Sequence, residues 1–582
     1  MQLATLFLLT IVASLAEVMT LGAVLPFLAV LMAPEKIHAH NWAQPIIQLF
    51  QIQSAHNLPA IFTSIFAMAA VLAALARLAL LWWQTRVSID IAADFSIQVY
   101  ERTLYQPYSV HISRNSSDII SGSQKAKEMA GVFIQPIILA SSSILMMLAI
   151  VITLVAIEPV AAIIALLGFG LVYVAFALLT RPRILKNSEA IAICQTKATK
   201  TIQEGLGGIR DVIIDGTQKV YSRLYMQSFL PMQTAIASNQ VWASSPRFGV
   251  EALGITLIAG LAYFLTISAP GENTVPNPIP VLAALALGAQ RILPMLQQIY
   301  ASYITIKGNQ ASIEDALDLL DQPVLSHKPT LPVSAIEFKA SITLKNVGYR
   351  YDDKGPWVLR NLNLQIHKGD RVGFVGMTGS GKSTLLDIVM GLLTPTEGKL
   401  LIDNIEINCS NNRSWQSLLS HVPQTVYLAD ASIAENIAFG IPSRDIDLQK
   451  VKEACKHAQI DRTIESWVAG YDTLVGERGI RLSGGQRQRI GIARALYKRA
   501  GVLIFDEATS ALDNDTESAV IKSIEKLASD VTILMVAHRI TTLERCDKIV
   551  RVANGSIVAI ESYTELTRDQ DLNRVSREEL DV

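Results

Sequence analysis

The chain has 582 residues, which is too long for a single hydrophobic core, so we expect at least two domains. Half of the residues are hydrophobic and the mean hydropathy is +0.34, which is high for a soluble protein. The net charge of −1 gives no electrostatic support for a nucleic-acid partner. The four cysteines lack metal-binding spacing and are expected to be free thiols.

Apolar runs long enough to cross a bilayer are confined to the first part of the chain. The first run begins almost at Met1, and no Lys or Arg precedes Lys36, so it does not fit a removable signal peptide. We therefore expect it to be retained as a membrane span. The pattern predicts six spans, at residues 3–33, 59–83, 132–157, 160–180, 248–267 and 279–306.

Lys and Arg concentrate in two long polar stretches, at residues 84–130 and 181–247. Because cytoplasmic loops carry the excess of basic residues, both stretches and both termini are predicted to be cytoplasmic. Residues 45–52, in a loop on the opposite side, place apolar side chains on one helical face. This segment is either an amphipathic helix on the outer membrane surface or an ordinary packed loop helix.

Three ionisable residues are predicted at membrane depth: Glu17, Arg77 and Arg291. A charge there is costly, so each is expected to face a cavity or a partner. One interpretation is contact with a polar or anionic cargo. The other is a structural pair, for example Glu17 with Arg77. Pro294, one turn after Arg291, could break the sixth helix.

After a polar linker at residues 311–338, the sequence predicts a soluble α/β domain at residues 339–582. Residues 376–384 match G-x-x-x-x-G-K-[ST] between a strand-like run and a helix-like run, which is the context of a P-loop. Its glycines allow backbone N–H groups to point at phosphate oxygens. Lys382 would face the β- and γ-phosphates, and the Ser383 hydroxyl would bind Mg²⁺.

Four further motifs follow the P-loop in the chain. Asp506 and Glu507 end a strand-like run, where Asp506 would hold Mg²⁺ and Glu507 would orient the attacking water. Residues 482–486 open a helix with two glycines, which predicts a second phosphate-binding helix start. Gln424 and His538 each follow an apolar strand, although such a residue alone is more often structural.

Together these motifs resemble the nucleotide-binding domain of ABC transporters, and the resemblance extends over the whole chain. It implies a membrane all-α transmembrane domain of six helices, residues 1–310, fused to an α/β P-loop ATPase domain with intact catalytic positions. It implies ATP binding by Tyr351, Gly376, Thr378, Gly379, Ser380, Gly381, Lys382, Ser383, Thr384, Ser483, Gly484, Gly485, Gln486 and Asp513. It implies catalytic roles for Glu507, His538 and Gln424, and Mg²⁺ binding by Ser383, Gln424 and Asp506.

One membrane half and one ATPase domain make a half-transporter. The resemblance implies a homodimer in which each ATP lies between the P-loop of one subunit and residues 483–486 of the other. Coupling is expected near residues 108–115 and 211–221. Exporters of this type usually have residues before the first span, which here begins almost at Met1, and the missing amino-terminal peptidase domain argues against a leader-cleaving peptide exporter.

Among exporters, the chain most resembles the flippases that move lipid-linked oligosaccharides in bacterial N-glycosylation. Residues 15–20, 26–28, 246–251 and 291–294, together with Arg77, carry this resemblance. It implies membrane lipid as a partner and a lipid-linked or similar amphipathic cargo. The cargo would be contacted by Glu17, Arg77, Arg247 and Arg291. A peptide, lipid or multidrug exporter is the alternative. Six spans exclude a soluble ABC ATPase, and an importer would normally have separate membrane and ATPase chains.

Overall fold

The computed structural model describes residues 2–32, 34–38, 44, 48, 55–157, 159–267, 279–322, 336–352, 354–508, 513–527, 530–537 and 539–568. The chain divides into two compact units. The first is Met1–Gln106 with Arg114–Val324, and the second is Pro107–Ser113 with Leu325–Val582. Apart from residue 48, the predicted surface helix at residues 45–52 lies outside the described residues, as do residues 323–335 of the predicted linker at 311–338, so those predictions stay open.

The first unit is built from long helices. The main helices of this half of the chain are α1 (Gln2–Met32), α2 (Leu58–Leu104), α3 (Tyr108–Ser113), α4 (Ser116–Met129), α5 (Gln135–Ile157), α6 (Pro159–Gly207), α7 (Ile209–Ile214), α8 (Gln218–Ile267), α9 (Ile279–Gly308) and α10 (Gln310–Leu320). Pro34–His38 forms a further five-residue helix, and Ala130–Ile134 forms a π-helical turn. The short helix α3 groups with the second unit, whereas α7 belongs to the first. These two short helices occupy the stretches expected to carry coupling.

Four helices in the described part of the chain are long and apolar enough to cross a membrane: Gln2–Met32, Ala55–Leu104, Ser116–Ala156 and Leu166–Gly207. The predicted fifth and sixth spans fall within α8 and α9, which are not among these four helices. The count of six therefore stays a prediction. Helix α2 has 47 residues, or about 70 Å at ~1.5 Å per residue, against a hydrocarbon core of about 30 Å. The polar stretches are therefore helical continuations of the apolar runs.

Hydroxyl groups inside α1 show how an apolar helix accommodates polar side chains. Thr10 and Ser14 donate to the carbonyl oxygens of Leu6 and Thr10, each at 2.8 Å. Each hydroxyl therefore has its partner inside the helix, as a low-dielectric environment requires.

Helix α10, the last helix of the first unit, packs against α4 and α6. Lys125 of α4 is buried, and its ammonium group lies 2.5 Å from Asp315 of α10 and 3.2 Å from Thr196 of α6. A Cβ atom at Gly122 would lie 2.2 Å from Leu319, so glycine permits the close approach of α4 and α10. The ion pair and the close contact hold α10 against α4.

The second unit contains two sheets. Its strands are β1 (Ser341–Tyr349), β2 (Leu359–His367), β3 (Arg371–Val375), β4 (Glu397–Ile402), β5 (Ile405–Glu406), β6 (Leu419–Val422), β7 (Val502–Asp506), β8 (Thr532–Val536), β9 (Lys548–Ala553) and β10 (Ser556–Glu561). Its helices are α11 (Lys382–Val389), α12 (Asn412–Ser417), α13 (Ile433–Ile437), α14 (Leu448–His457), α15 (Asp461–Glu465), α16 (Gly484–Tyr497) and α17 (Asn514–Leu527). One sheet has the order β2-β1-β4-β5, and the other β10-β9-β3-β8-β7-β6.

The larger sheet positions the predicted ATPase motifs. Strands β3, β8, β7 and β6 are neighbours and run parallel, so their carboxyl ends lie at one edge. Strand β8 is buried along its whole length, which explains why the four residues after Thr532 are all apolar. The P-loop follows β3, Glu507 follows β7 and Gln424 follows β6. This carboxyl edge is where open α/β sheets bind ligands.

Candidate nucleotide site

The P-loop joins the end of β3 to the start of α11. Gly379 and Gly381 have φ angles of 81° and 102°, which side-chain-bearing residues rarely adopt. A Cβ atom at Gly376 would lie 2.1 Å from the carbonyl oxygen of Val552. The loop therefore needs glycine at these positions to hold its backbone against the sheet, and α11 begins directly behind it.

Lys382 is the first residue of α11, and its side chain folds back over the start of the P-loop. The buried side chain donates from Nζ to the carbonyl oxygens of Gly376 at 2.8 Å and Met377 at 2.9 Å. Its charge is thus held beside the curved backbone, where phosphate oxygens would be bound. The Ser380 and Thr384 side chains are buried at the same turn, whereas Thr378 and Ser383 are exposed.

Tyr351, predicted to stack on the adenine, borders this loop. Its hydroxyl lies 3.2 Å from Oγ1 of Thr384, and its ring packs edge-on against Tyr349 with centroids 5.1 Å apart. The side chain is half exposed. The structure therefore ties Tyr351 to the P-loop helix and leaves part of its ring open.

Acidic side chains crowd the edge next to the P-loop. Burial and the neighbouring Glu507 raise the pKa of Asp506, while a hydrogen bond with Ser383 and the charge of Lys382 act in the opposite direction. Burial, with a contribution from Asp506, raises the pKa of Asp387 to about 6. A divalent cation would relieve this crowding, and the hydroxyl and carboxylate oxygens are donors that suit Mg²⁺.

Sequence reasoning missed Asp387. The one available signal is an acidic residue inside an otherwise apolar stretch, residues 385–390, of the P-loop helix. Such a residue is usually buried for a reason, because a buried carboxylate is costly unless it has partners.

The structure brings Glu507 and Gln424 together, although 83 residues separate them in the chain. Nε2 of Gln424 donates to Oε2 of Glu507 at 2.6 Å. Glu507 has a φ angle of 52°, and its N–H donates to the carbonyl oxygen of Val536 at 3.1 Å. A left-handed backbone is costly for a glutamate, and strain of this kind clusters at functional sites.

Residues 483–486 form the start of helix α16. The N–H of Ser483 donates to Oε1 of Gln486 at 2.8 Å, and Oγ of Ser483 accepts from the N–H of Gln486 at 3.3 Å. This capping box, with Gly484 and Gly485 between its two members, leaves Ser483 exposed at a helix amino terminus. Such a terminus attracts anions.

Asp513 directly precedes helix α17. Its carboxylate accepts from the N–H of Thr516 at 3.0 Å, and the hydrogen bonds with Thr516 lower the pKa of Asp513. His538 and residues 509–512 lie outside the described residues, so the role of His538 stays a prediction.

Glu17, Arg77 and Arg291 form one cluster. Glu17 is buried, its Oε1 lies 2.9 Å from Nε of Arg77, and its Oε2 accepts from Arg291. The structural pair foreseen between Glu17 and Arg77 is therefore present, with Arg291 as an additional partner. Arg247, predicted to contact the same cargo, is exposed and instead pairs with Glu251 at 2.7 Å, one turn away on its own helix.

Comparisons with known proteins agree with this architecture. The chain matches the family model of the ABC transporter transmembrane region over residues 3–290 and the ABC transporter model over residues 359–510. It also shares the fold of a bacterial Atm1-family ABC exporter with ATP bound, with a TM-score of 0.81 and 22% identity over 98% of this chain and 96% of that one. The predicted fold class, a helical transmembrane domain fused to an α/β nucleotide-binding domain, is confirmed.

Two curated relatives illustrate the range of similar proteins. YgaD of Bacillus subtilis, whose name proposes multidrug export, is 30% identical over 83% of this chain and 82% of its own length. The ATP-dependent lipid A-core flippase of Alkalilimnicola ehrlichii is 30% identical over 69% of this chain and 67% of its own length. The chain therefore belongs to the ABC transporter family, as an exporter half-transporter that couples ATP hydrolysis to transport.

Proposed function

We propose that this chain acts as a homodimer that moves a lipid-linked oligosaccharide, or a similar amphipathic cargo bearing phosphate, across the cytoplasmic membrane. The observation that carries the proposal is the cluster of Glu17, Arg77 and Arg291. Two guanidinium groups share one carboxylate, which leaves one positive charge in excess. An excess charge at membrane depth is costly unless it faces water or an anionic partner.

The exposure of the three side chains supports this assignment. The Glu17 side chain is 1% exposed, whereas those of Arg77 and Arg291 are 44% and 31% exposed. The acid is thus enclosed and both arginines retain open surface. A guanidinium group offers parallel N–H donors that match phosphate oxygens, which suits a pyrophosphate-linked cargo.

The ATPase domain would supply the driving reaction. Ser383, Gln424 and Asp506 would hold Mg²⁺, which neutralises charge on the β- and γ-phosphates when bound. Lys382 would bind the same phosphates. Glu507 would accept a hydrogen bond from the attacking water, and Gln424, already bonded to Glu507, would keep that carboxylate oriented. His538 would complete the set.

The relatives leave two classes of cargo to compare. The flippase of Alkalilimnicola ehrlichii is named for lipid A-core, which favours a lipid-anchored cargo here. YgaD is named for multidrug export, which favours the alternative of a drug, lipid or peptide exporter. The charged cluster favours the lipid-anchored cargo, because an apolar drug gains nothing from an excess guanidinium group.

Transport by the purified protein in proteoliposomes tests this proposal. Three fluorescent probes would be compared: a polyprenyl-pyrophosphate oligosaccharide, a phosphatidylcholine and a hydrophobic cationic dye. We expect ATP-dependent movement of the pyrophosphate-linked probe and background movement of the other two. Movement of the dye without the pyrophosphate-linked probe would establish the multidrug alternative instead.

The homodimer, the six spans and the cytoplasmic position of both termini and the ATPase domain belong to the same proposal. The exposed start of α16 supports the shared sites, because Ser483 caps its own helix and still presents that terminus outward. Each ATP would then lie between the P-loop of one subunit and this helix start of the partner.

Mixed dimers provide a measurement of the shared site. A subunit with Lys382→Ala and a subunit with Ser483→Arg would be co-expressed with different affinity tags, and the mixed dimer would be purified over both tags. The mixed dimer contains one intact site. We expect ATPase activity above that of both mutant homodimers, and up to about half of the wild-type value if the two sites act independently. Dimers of wild-type and doubly mutant subunits provide the control, since they contain no intact site. Mixed dimers no more active than the homodimers would contradict the arrangement.

A further inference from the structure

We propose that Glu517 and Thr542 are positioning residues for ATP hydrolysis. Their hydrogen bond would hold the segment that follows β8, which contains His538, in register with helix α17, whose first turn Asp513 caps. The inference rests on the roles assigned above to Asp513 and His538. Neither Glu517 nor Thr542 belongs to the motifs that identify the ATPase domain.

The bond is buried and joins two elements far apart in sequence. Oγ1 of Thr542 donates to Oε1 of Glu517 at 2.8 Å. Glu517 is 6% exposed and Thr542 is 8% exposed. The other carboxylate oxygen lies 4.0 Å from the guanidinium group of Arg539, the residue directly after His538. Glu517 is thus close to two residues of the segment that follows β8, Arg539 and Thr542.

One end of this bond is rigidly connected to Asp513. The N–H of Glu517 donates to the carbonyl oxygen of Asp513 at 2.9 Å, and the Asp513 carboxylate caps the same turn of α17. Asp513 and Glu517 are therefore one helical turn apart in a single hydrogen-bonded unit. Movement of Asp513 would carry Glu517 with it.

The other end is connected to the strand that precedes His538. Thr542 lies in a 3₁₀ turn, Ile540–Arg545, and its N–H donates to the carbonyl oxygen of Arg539 at 3.2 Å. Val536, the last residue of β8, accepts the N–H of Glu507. Val536 is thus bonded to Glu507, and Thr542 is bonded to Glu517.

The surroundings argue that this polar pair has a role beyond packing. Val520, Met535 and Val536 line the same small apolar cavity as Thr542, so this environment would accept apolar side chains. Replacing a buried polar pair by apolar residues of similar shape is often neutral for folding. A hydrogen bond adds direction, which packing lacks, and a displacement of about 1 Å at a reacting group can cost about a hundredfold in rate.

The test compares single variants with the variant that removes both partners. Thr542→Val removes the donor to Oε1 of Glu517, and Glu517→Met removes the acceptor of the Thr542 hydroxyl, whereas the double variant removes both buried atoms of this bond. We expect the double variant to melt close to wild type but to hydrolyse ATP at least about tenfold more slowly, with the KM for ATP within about twofold. Thr542→Ser, which keeps the hydroxyl, is expected to restore kcat.

Thr541→Val is the matched control, because Thr541 is the exposed neighbour of Thr542. The double variant is informative even if a single variant fails to fold, since it removes both buried atoms of the bond. Wild-type kcat in the double variant would overturn the proposal. A fall in kcat that only follows the loss of folded protein, or an equal fall in Thr542→Ser and Thr542→Val, would overturn it as well.

Discussion

Replacing Glu507 by Gln should lower the kcat of ATP hydrolysis by about 10²–10⁴-fold and leave ATP affinity within about twofold. The carboxylate follows a buried strand, is held by a left-handed backbone and accepts a hydrogen bond from Gln424 at 2.6 Å. The amide is isosteric but cannot accept a proton from water. Binding persists because the P-loop and Lys382 are unchanged.

Two measurements separate binding from hydrolysis in this variant. Bound ATP that survives washing would show the expected closed dimer, and steady-state phosphate release would give kcat. Glu544→Gln is the matched control, because Glu544 is an exposed carboxylate outside the site. Lys382→Ala should behave differently and weaken ATP binding itself, since it removes the charge held over the P-loop. Wild-type turnover in Glu507→Gln would refute the assigned role.

The parts of the site that lie close together in sequence were accessible from the sequence alone. The P-loop was predicted because its glycines, its lysine and its flanking strand and helix are contiguous, and the structure places β3 and α11 on either side of it. The order of strands is not written in any local pattern. The contact between Gln424 and Glu507 depends on β6 lying next to β7, and could only be expected from the family resemblance.

Long-range packing explains what the sequence did not reveal. The bond between Glu517 and Thr542 joins two ordinary-looking residues, and no spacing rule connects a helix after β7 with a turn after β8. In the membrane half, the high cost of an unpaired charge predicted partners for Glu17. It could not predict that one carboxylate would serve both Arg77 and Arg291, because that requires α1 to face α2 and α9 at the same depth.

Arg291→Ala should reduce transport of the pyrophosphate-linked probe to background, a loss of at least about tenfold, since hydrogen bonds to charged groups contribute about 1.5–3 kcal/mol. Glu17 keeps Arg77 at 2.9 Å, so its buried charge stays compensated and folding should persist. The charge of the cluster falls from one positive to neutral. The cluster then no longer attracts an anionic cargo, although basal ATPase activity should continue.

Further variants distinguish charge from geometry at this position. Arg291→Lys retains the excess charge but lacks the planar pair of donors, so transport should fall only in part. Lys200→Ala is the matched control, because it removes one positive charge from an exposed surface pair with Glu204. Unchanged transport in Arg291→Ala would exclude a cargo role for Arg291. Joint loss of folding and ATPase activity would show instead that Arg291 serves to pair Glu17, since removing one partner of a buried ion pair is strongly destabilising.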